Sequence, residues 1–258
     1  MINILLSGCC GYMGCVVSSI VEADPDVSIV AGVDIAPLHH QTGYPVFSTL
    51  SEFTGQADVV LDFSSPSALQ GLLDFSLSQK IPLILCATGY SDDQLTAISA
   101  ASELVPVFRS GNMSLGINLL VDLISRACSV LGGAFDVEII ERHHRRKVDA
   151  PSGTALMLAN AASSALPFDA NLVFERNSSR KPRSDNEIGI SALRGGTIVG
   201  VHEVVFAGLD EVIELKHSAA SRDVFAVGAL RAAKFMVGAL SPGLYNMTDV
   251  LSAIPTDI

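Results

Sequence analysis

Arg142-His143-His144-Arg145-Arg146-Lys147 puts six cationic or titratable side chains in a row, within a chain whose formal net charge is −11. Such a run is most often a solvated or nucleic-acid-facing patch. Here Ala150-Pro151-Ser152-Gly153-Thr154-Ala155 follows at once, and Pro-Ser-Gly-Thr ahead of an apolar run reads as a helix N-terminus. Its backbone N–H groups and the Ser152 and Thr154 hydroxyls would face the same volume as the cations, making a pocket for a carboxylate or phosphate. A small dianion is the better-matched ligand. An imidazole with the ordinary pKa of about 6.5 can deliver a proton at neutral pH, so general acid chemistry is open to His143 and His144. No metal site is expected, because adjacent histidines in an extended chain point to opposite faces and no Cys or Asp stands at a metal-motif spacing from them. His39, His40, His202 and His217 lie in no comparable cluster.

A second constellation, Gly8-Cys9-Cys10-Gly11-Tyr12-Met13-Gly14, follows a β-branched run and opens a helical pattern. Glycines at such a strand-to-helix turn let backbone amides approach a pyrophosphate beside the positive helix end. Asp34 ends the next strand-like run 20 residues after Gly14, where a carboxylate can accept from an adenosine ribose. Asp62-Phe63-Ser64-Ser65-Pro66 and Cys86-Ala87-Thr88-Gly89-Tyr90 also sit at carboxyl ends of predicted strands, where ligands of open α/β sheets bind. Ser110-Gly111-Asn112-Met113-Ser114 marks a change of pattern and is a hinge candidate.

The elements that must position these groups divide at that change. Strand-like runs at Ile2–Leu6, Val27–Val33, Val59–Leu61, Leu83–Leu85 and Val105–Phe108 alternate with amphipathic segments at Val16–Ala23, Pro66–Ser78 and Asp92–Ala101. This alternation predicts a parallel sheet covered by helices. Beyond Asn112 come a long amphipathic segment, Leu115–Leu131, a strand-like Asp136–Ile140, and a helix after Pro151. Ile188–Leu193, Thr197–Phe206 and Val212–His217 then read as consecutive strands of an antiparallel or mixed sheet, hence a second domain. Val224–Val237 is again helical and could return to the first.

Composition closes off other classes. The 258 residues are 49% hydrophobic and 17% charged, enough for a sizeable core and unlike a disordered chain. An excess of 27 acidic over 16 basic side chains repels nucleic acid and anionic membrane. Five cysteines form no disulfide framework and suggest a reducing compartment, with the cytoplasm as default. The apolar stretch at Leu115–Leu131 is interrupted by Asp122, Ser125 and Arg126, short of the ~18 uncharged residues of a membrane span.

The segment from Glu141 to Ala155 resembles the signature of the dihydrodipicolinate reductase (4-hydroxy-tetrahydrodipicolinate reductase) family of lysine and diaminopimelate biosynthesis. The likeness continues, in the same order, through the Gly-rich turn, Asp62-Phe63-Ser64, Ala87-Thr88-Gly89-Tyr90, Gly111-Asn112-Met113-Ser114 and Pro242-Gly243-Leu244-Tyr245. It implies an α/β fold: a Rossmann-like dinucleotide-binding domain over residues 1–113 and 224–258, with an inserted α+β substrate and oligomerisation domain over 114–223. It implies hydride transfer from NADH or NADPH to a cyclic imine bearing two carboxylates, in a homotetramer. Carried over by position, His143 and Lys147 are catalytic, and His144, Ser152, Gly153 and Thr154 contact substrate. Gly8, Cys9, Cys10, Gly11, Tyr12, Met13, Asp34, Cys86, Ala87, Thr88, Ser110, Gly111, Asn112 and Met113 contact the cofactor.

This chain departs from many members in having Tyr12 and Ile35 where they carry arginines. Both cations could pair with the 2′-phosphate of NADPH, so NADH is expected to serve at least as well. His39, Lys80 or Arg109 could supply the missing charge. The competing reading is a regulatory protein that senses the dinucleotide without turnover.

Overall fold

The computed structural model describes residues 1–36, 42–178, 180–238 and 241–254. The chain divides into two compact units, Met1–Ser114 with Asp223–Ile258, and Leu115–Arg222.

The first unit is built on seven parallel strands: β1 (Ile2–Ser7), β2 (Val27–Val33), β3 (Val46–Phe47), β4 (Val59–Asp62), β5 (Leu83–Leu85), β6 (Pro106–Arg109) and β12 (Gly243–Tyr245). Their order is β12-β6-β5-β4-β1-β2-β3. The central runs are apolar without alternation because helices cover both faces. Leu5, Val60, Leu83 and Val107 pack toward α2 (Leu69–Gln79) and α3 (Asp92–Ser102). On the other side α6 (Asp223–Met236) lies along β4, β5 and β6 and against α1 (Tyr12–Val21), with α7 (Met247–Ser252) beside it. Strand order reverses between β1 and β4, the switch point at which open α/β sheets bind ligands.

The second unit holds β7 (Asp136–His143), β8 (Asn171–Val173), β9 (Glu187–Arg194), β10 (Gly200–Ala207) and β11 (Val212–Ala219) in the order β11-β10-β7-β9-β8. The three late strands are therefore not neighbours in series. β7 separates β9 from β10, pairing parallel with the former and antiparallel with the latter. The cause is α5 (Gly153–Ala165), whose crossover returns the chain parallel to β7. α4 (Leu115–Leu131) packs on α5 through Leu120, Ile124 and Cys128, all inside the core. With the following turn it makes a segment, Leu115–Ala134, long and apolar enough by length and composition to cross a membrane, although Asp122 and Arg126 interrupt it as expected. Ile117, Leu120, Ile124 and Cys128 form its buried face, while the exposed face carries Leu119, Leu123 and Val130 beside Asp122 and Arg126.

Short elements escaped the sequence pattern. β3, β8 and β12 have two or three residues each, too few for a period to register. α1 starts at Tyr12 rather than Val16 because the glycine turn runs directly into it, with Gly11 extended at the N-cap.

Candidate active site

In the second unit the basic run begins on a strand, and the strand's alternation sorts it. Val137, Ile139, Glu141 and His143 share the buried face of β7, whereas Arg142 and His144 turn the other way. Glu141 is completely buried and accepts from His143 Nδ1 at 2.6 Å. Arg194, opposite His143 in the β7/β9 register, clamps both Glu141 oxygens at 2.7 and 2.6 Å and also donates to the Asp149 carbonyl. Ser152 N–H adds a bond to Glu141 Oε1 at 3.0 Å. Burial alone would raise the Glu141 carboxyl, but the Arg194 bonds and His143 outweigh it and hold the group below its ordinary range.

His202 belongs to this cluster, which corrects its reading as an isolated histidine. It stands opposite Glu141 in the β7/β10 register, its ring lies edge-on to His143 at 5.1 Å, and its Nε2 meets Ser152 Oγ at 3.0 Å. Burial, helped by the neighbouring His143, pushes its pKa down to about 4, so it is neutral at pH 7. Glu141 therefore fixes His143 through Nδ1 and leaves Nε2 as the position for proton exchange. Gly200 keeps the space there, since a Cβ would stand 3.1 Å from that nitrogen.

Ser152 is the N-cap of α5 and is buried; its hydroxyl accepts from Ala155 N–H at 3.1 Å. With that hydroxyl engaged, exposed Gly153 and half-buried Thr154 are the positions of the turn open to solvent. A Cβ at Gly153 would meet nothing within 4 Å. Lys147 is held by Asp149 at 2.9 Å, an exposed partner that a ligand carboxylate could replace. His144 is lowered by its own partial burial and by Arg146 beside it.

The first unit presents a backbone site at the switch point. Gly8 has φ +74°, and a Cβ there would lie 2.7 Å from the backbone of Phe63 and Ser64. A Cβ at Gly14 would overlap the Gly8 carbonyl oxygen, so helix and loop touch only because both residues are glycine. No side chain caps α1, whose first turn can take an anion. Asp34 Oδ2 accepts from Cys10 N–H at 2.9 Å and Oδ1 from Ala36 N–H at 3.0 Å. Each oxygen keeps a lone pair for a ribose hydroxyl. These residues fit a dinucleotide.

A cleft of about 1010 Å³ adjoins the turn, lined by Gly8, Gly11, Asp34, Ile35 and Ser64 and, further out, by Ser48 and Thr49. Among the described residues lining it there is no Lys, Arg or His. Cys9 is buried with its sulfur against Gly32, so the turn presents its backbone rather than this side chain to the cleft. Cys86, Ala87 and Thr88 follow β5, and Ser110 to Met113 follow β6, at the same carboxyl edge but outside this cleft's lining. Lys80 caps α2 and Arg109 stacks on Tyr90; neither lines the cleft. His39 and His40 lie outside the described residues.

Residues 2–113 match the family described as dihydrodipicolinate reductase, N-terminus, and residues 116–251 match dihydrodipicolinate reductase, C-terminus. The chain belongs to the dihydrodipicolinate reductase family. It is 49% identical over 251 residues to a 4-hydroxy-tetrahydrodipicolinate reductase of Clostridium botulinum, covering 97% of this chain and 98% of that one. A reductase of the same name from Caldanaerobacter subterraneus is 49% identical over 253 residues, covering 97% and 98%. Among solved structures, a dipicolinate-bound dihydrodipicolinate reductase from Paenisporosarcina superposes with TM-score 0.80 at 24% identity, over 95% of this chain and 97% of that one, a likeness of fold.

The reductase signature thus brings together His143, Ser152 and the Glu141 that opens it. Glu141 was missed as a site residue, although its place two residues before His143, on the same face of a strand, was a signal that could have found it. Arg194 and His202 carried no such sign; only the strand register reveals them.

Proposed function

We propose that the protein reduces the imine of dihydrodipicolinate, formed by loss of water from 4-hydroxy-tetrahydrodipicolinate, to tetrahydrodipicolinate in lysine and diaminopimelate biosynthesis. The observation that carries this reading is the buried Glu141–His143 pair beside the Ser152 turn and Lys147, in a chain of this family. NADH or NADPH, bound at the Gly8–Met13 turn and Asp34 with Cys86–Thr88 and Ser110–Met113 completing the contacts, supplies the hydride. Addition to the conjugated imine leaves an electron-rich enamine that must gain a proton. Glu141 orients His143 through Nδ1, so that Nε2 is the nitrogen placed to donate. Lys147 and the backbone of Gly153 and Thr154 hold the carboxylates, with His144 at the rim. Ser152 contributes by fixing the turn.

The absence of cations among the described cleft residues supports use of NADH at least as well as NADPH. The residues 1–113 and 224–258 form the dinucleotide domain and 114–223 the substrate and assembly domain. Exposed Val212 and Ile213 on edge strand β11 favour assembly through the second sheet, as a cytoplasmic homotetramer that sedimentation would register. The test of function is the absorbance of NADH mixed with enzyme and freshly generated substrate. Loss of absorbance that requires both supports the reductase; binding of NADH without its oxidation overturns it.

A further inference from the structure

The side chains of the Gly-rich turn are not used by the reaction just described. The sulfurs of Cys9 and Cys10 lie 3.8 Å apart. One ligand atom from each, with a carboxylate oxygen of Asp34, all fall within 4.8 Å of one another. In a tetrahedral zinc site with Zn–S bonds of about 2.3 Å, two thiolates stand about 3.8 Å apart, and a carboxylate oxygen completes a third vertex at similar range.

We propose that Cys9, Cys10 and Asp34 form a site for a thiophilic divalent cation of the zinc or cadmium type, and that its occupation excludes the dinucleotide. Two sulfurs and one oxygen suit a borderline-soft ion and disfavour magnesium or calcium, which demand oxygen donors. Much of the site is held in place before any ion arrives. Cys9 is 1% exposed, with its sulfur in the space left by the missing side chain of Gly32. Asp34 is tied to the Cys10 N–H, which keeps the carboxylate beside the pair. Cys15 borders them, its thiol directed at the Cys9 and Cys10 carbonyls. Among the described residues no other trio of His, Cys, Asp and Glu donors comes so close together.

Burial pushes the Cys9 thiol up to about 12 and raises Cys10 as well, so both are protonated in the free protein. Capture of the cation replaces each S–H bond by a sulfur–metal bond and releases both protons to solvent, with no change of oxidation state. Exclusion follows because a carboxylate committed to the cation no longer accepts from a ribose, and because the ion sits in the turn that would receive the pyrophosphate. This second half rests on the dinucleotide reading of the cleft; the cation site does not.

The experiment titrates cadmium into the metal-free full-length protein, reading the ultraviolet thiolate-to-cadmium charge-transfer band. NADH is titrated separately by fluorescence, and then each ligand in the presence of the other. The expected result is saturation at one cadmium per chain, with affinity lowered at least about tenfold by Cys10→Ser and by Asp34→Asn but retained in Cys128→Ser. NADH should weaken cadmium binding, and cadmium should displace NADH. No band, or a band indifferent to Cys10→Ser and Asp34→Asn in variants whose circular dichroism is native, overturns the site. Independent binding of both ligands overturns the exclusion alone. Failure of NADH to bind by itself overturns the dinucleotide reading, and the exclusion with it, while the band still decides the cation site.

Discussion

The Gly8–Gly14 turn and the His143 cluster solve opposite problems. The turn works by subtraction: Gly8 and Gly14 remove side chains so that backbone reaches backbone, leaving uncapped N–H groups for an anion. The His143 cluster works by addition, gathering Glu141, Arg194, Ser152 and His202 from three strands and a helix cap around one imidazole. A site built from backbone depends on local sequence. A site built from buried charge depends on register, and it is also the more fragile of the two, because every member of a buried ionic network leaves another uncompensated when removed.

The contrast is sharpened first by variants expected to abolish chemistry and spare nucleotide binding. His143→Ala and Lys147→Ala should each lower kcat by about 10²–10⁴, the usual scale for a lost proton donor, while NADH affinity measured by fluorescence stays unchanged. Lys147→Ala should in addition raise KM for the dicarboxylate, since one carboxylate loses its cation. A Lys147→Ala enzyme with near-normal kcat/KM would remove Lys147 from the site.

Next in size is the cost of breaking the network itself. Glu141→Gln leaves Arg194 facing a neutral amide and should destabilise the second unit by about 3–5 kcal/mol, seen in a denaturant midpoint. A variant as stable as the parent would mean that the Arg194 clamp contributes nothing net.

A pH effect follows from His202. The unfolded chain protonates this histidine near pH 6.5, the folded one only at about 4. Between those values the unfolded state binds more protons, so stability should fall by about 2–3 kcal/mol as pH drops through the window. Glu141 acts with the same sign lower down: its depressed pKa gives stability that is present above the ordinary carboxylate range and lost as pH falls through the folded value. His202→Gln should flatten the upper part of that slope while leaving the lower part, which urea titrations at several pH values can resolve.

The smallest effect belongs to the turn. Ile35 is 96% exposed beside Asp34 in a cleft whose described residues include no cation, so Ile35→Arg should shift the kcat/KM ratio toward NADPH by about 1.5 kcal/mol, roughly tenfold. A parent enzyme already favouring NADPH tenfold would place the compensating charge elsewhere in the chain.

What could be read in advance follows the same division. The parallel sheet was legible because its strands are buried on both faces and separated by amphipathic helices, and the turn because glycine spacing and Asp34 are local. In the second sheet the four long strands were visible but their neighbours were not, and three-residue β8 was missed altogether. Nothing in Ile188–Leu193 says that it lies beside β7 rather than β10, and that pairing brings Arg194 to Glu141. His202 was passed over for the same reason. Its partners stand some sixty residues back, across a pairing that alternation alone does not specify.

The central claim is that hydride leaves the nicotinamide for the substrate ring while the protein supplies a proton to the resulting enamine. Turnover with NADH deuterated at the transferring C4 position, followed by NMR of the product, measures this directly. The account predicts deuterium on one ring carbon, and, when unlabelled NADH is used in D₂O, deuterium on the adjacent carbon instead. Product carrying solvent deuterium at the hydride position, or no label from the deuterated cofactor, would contradict it.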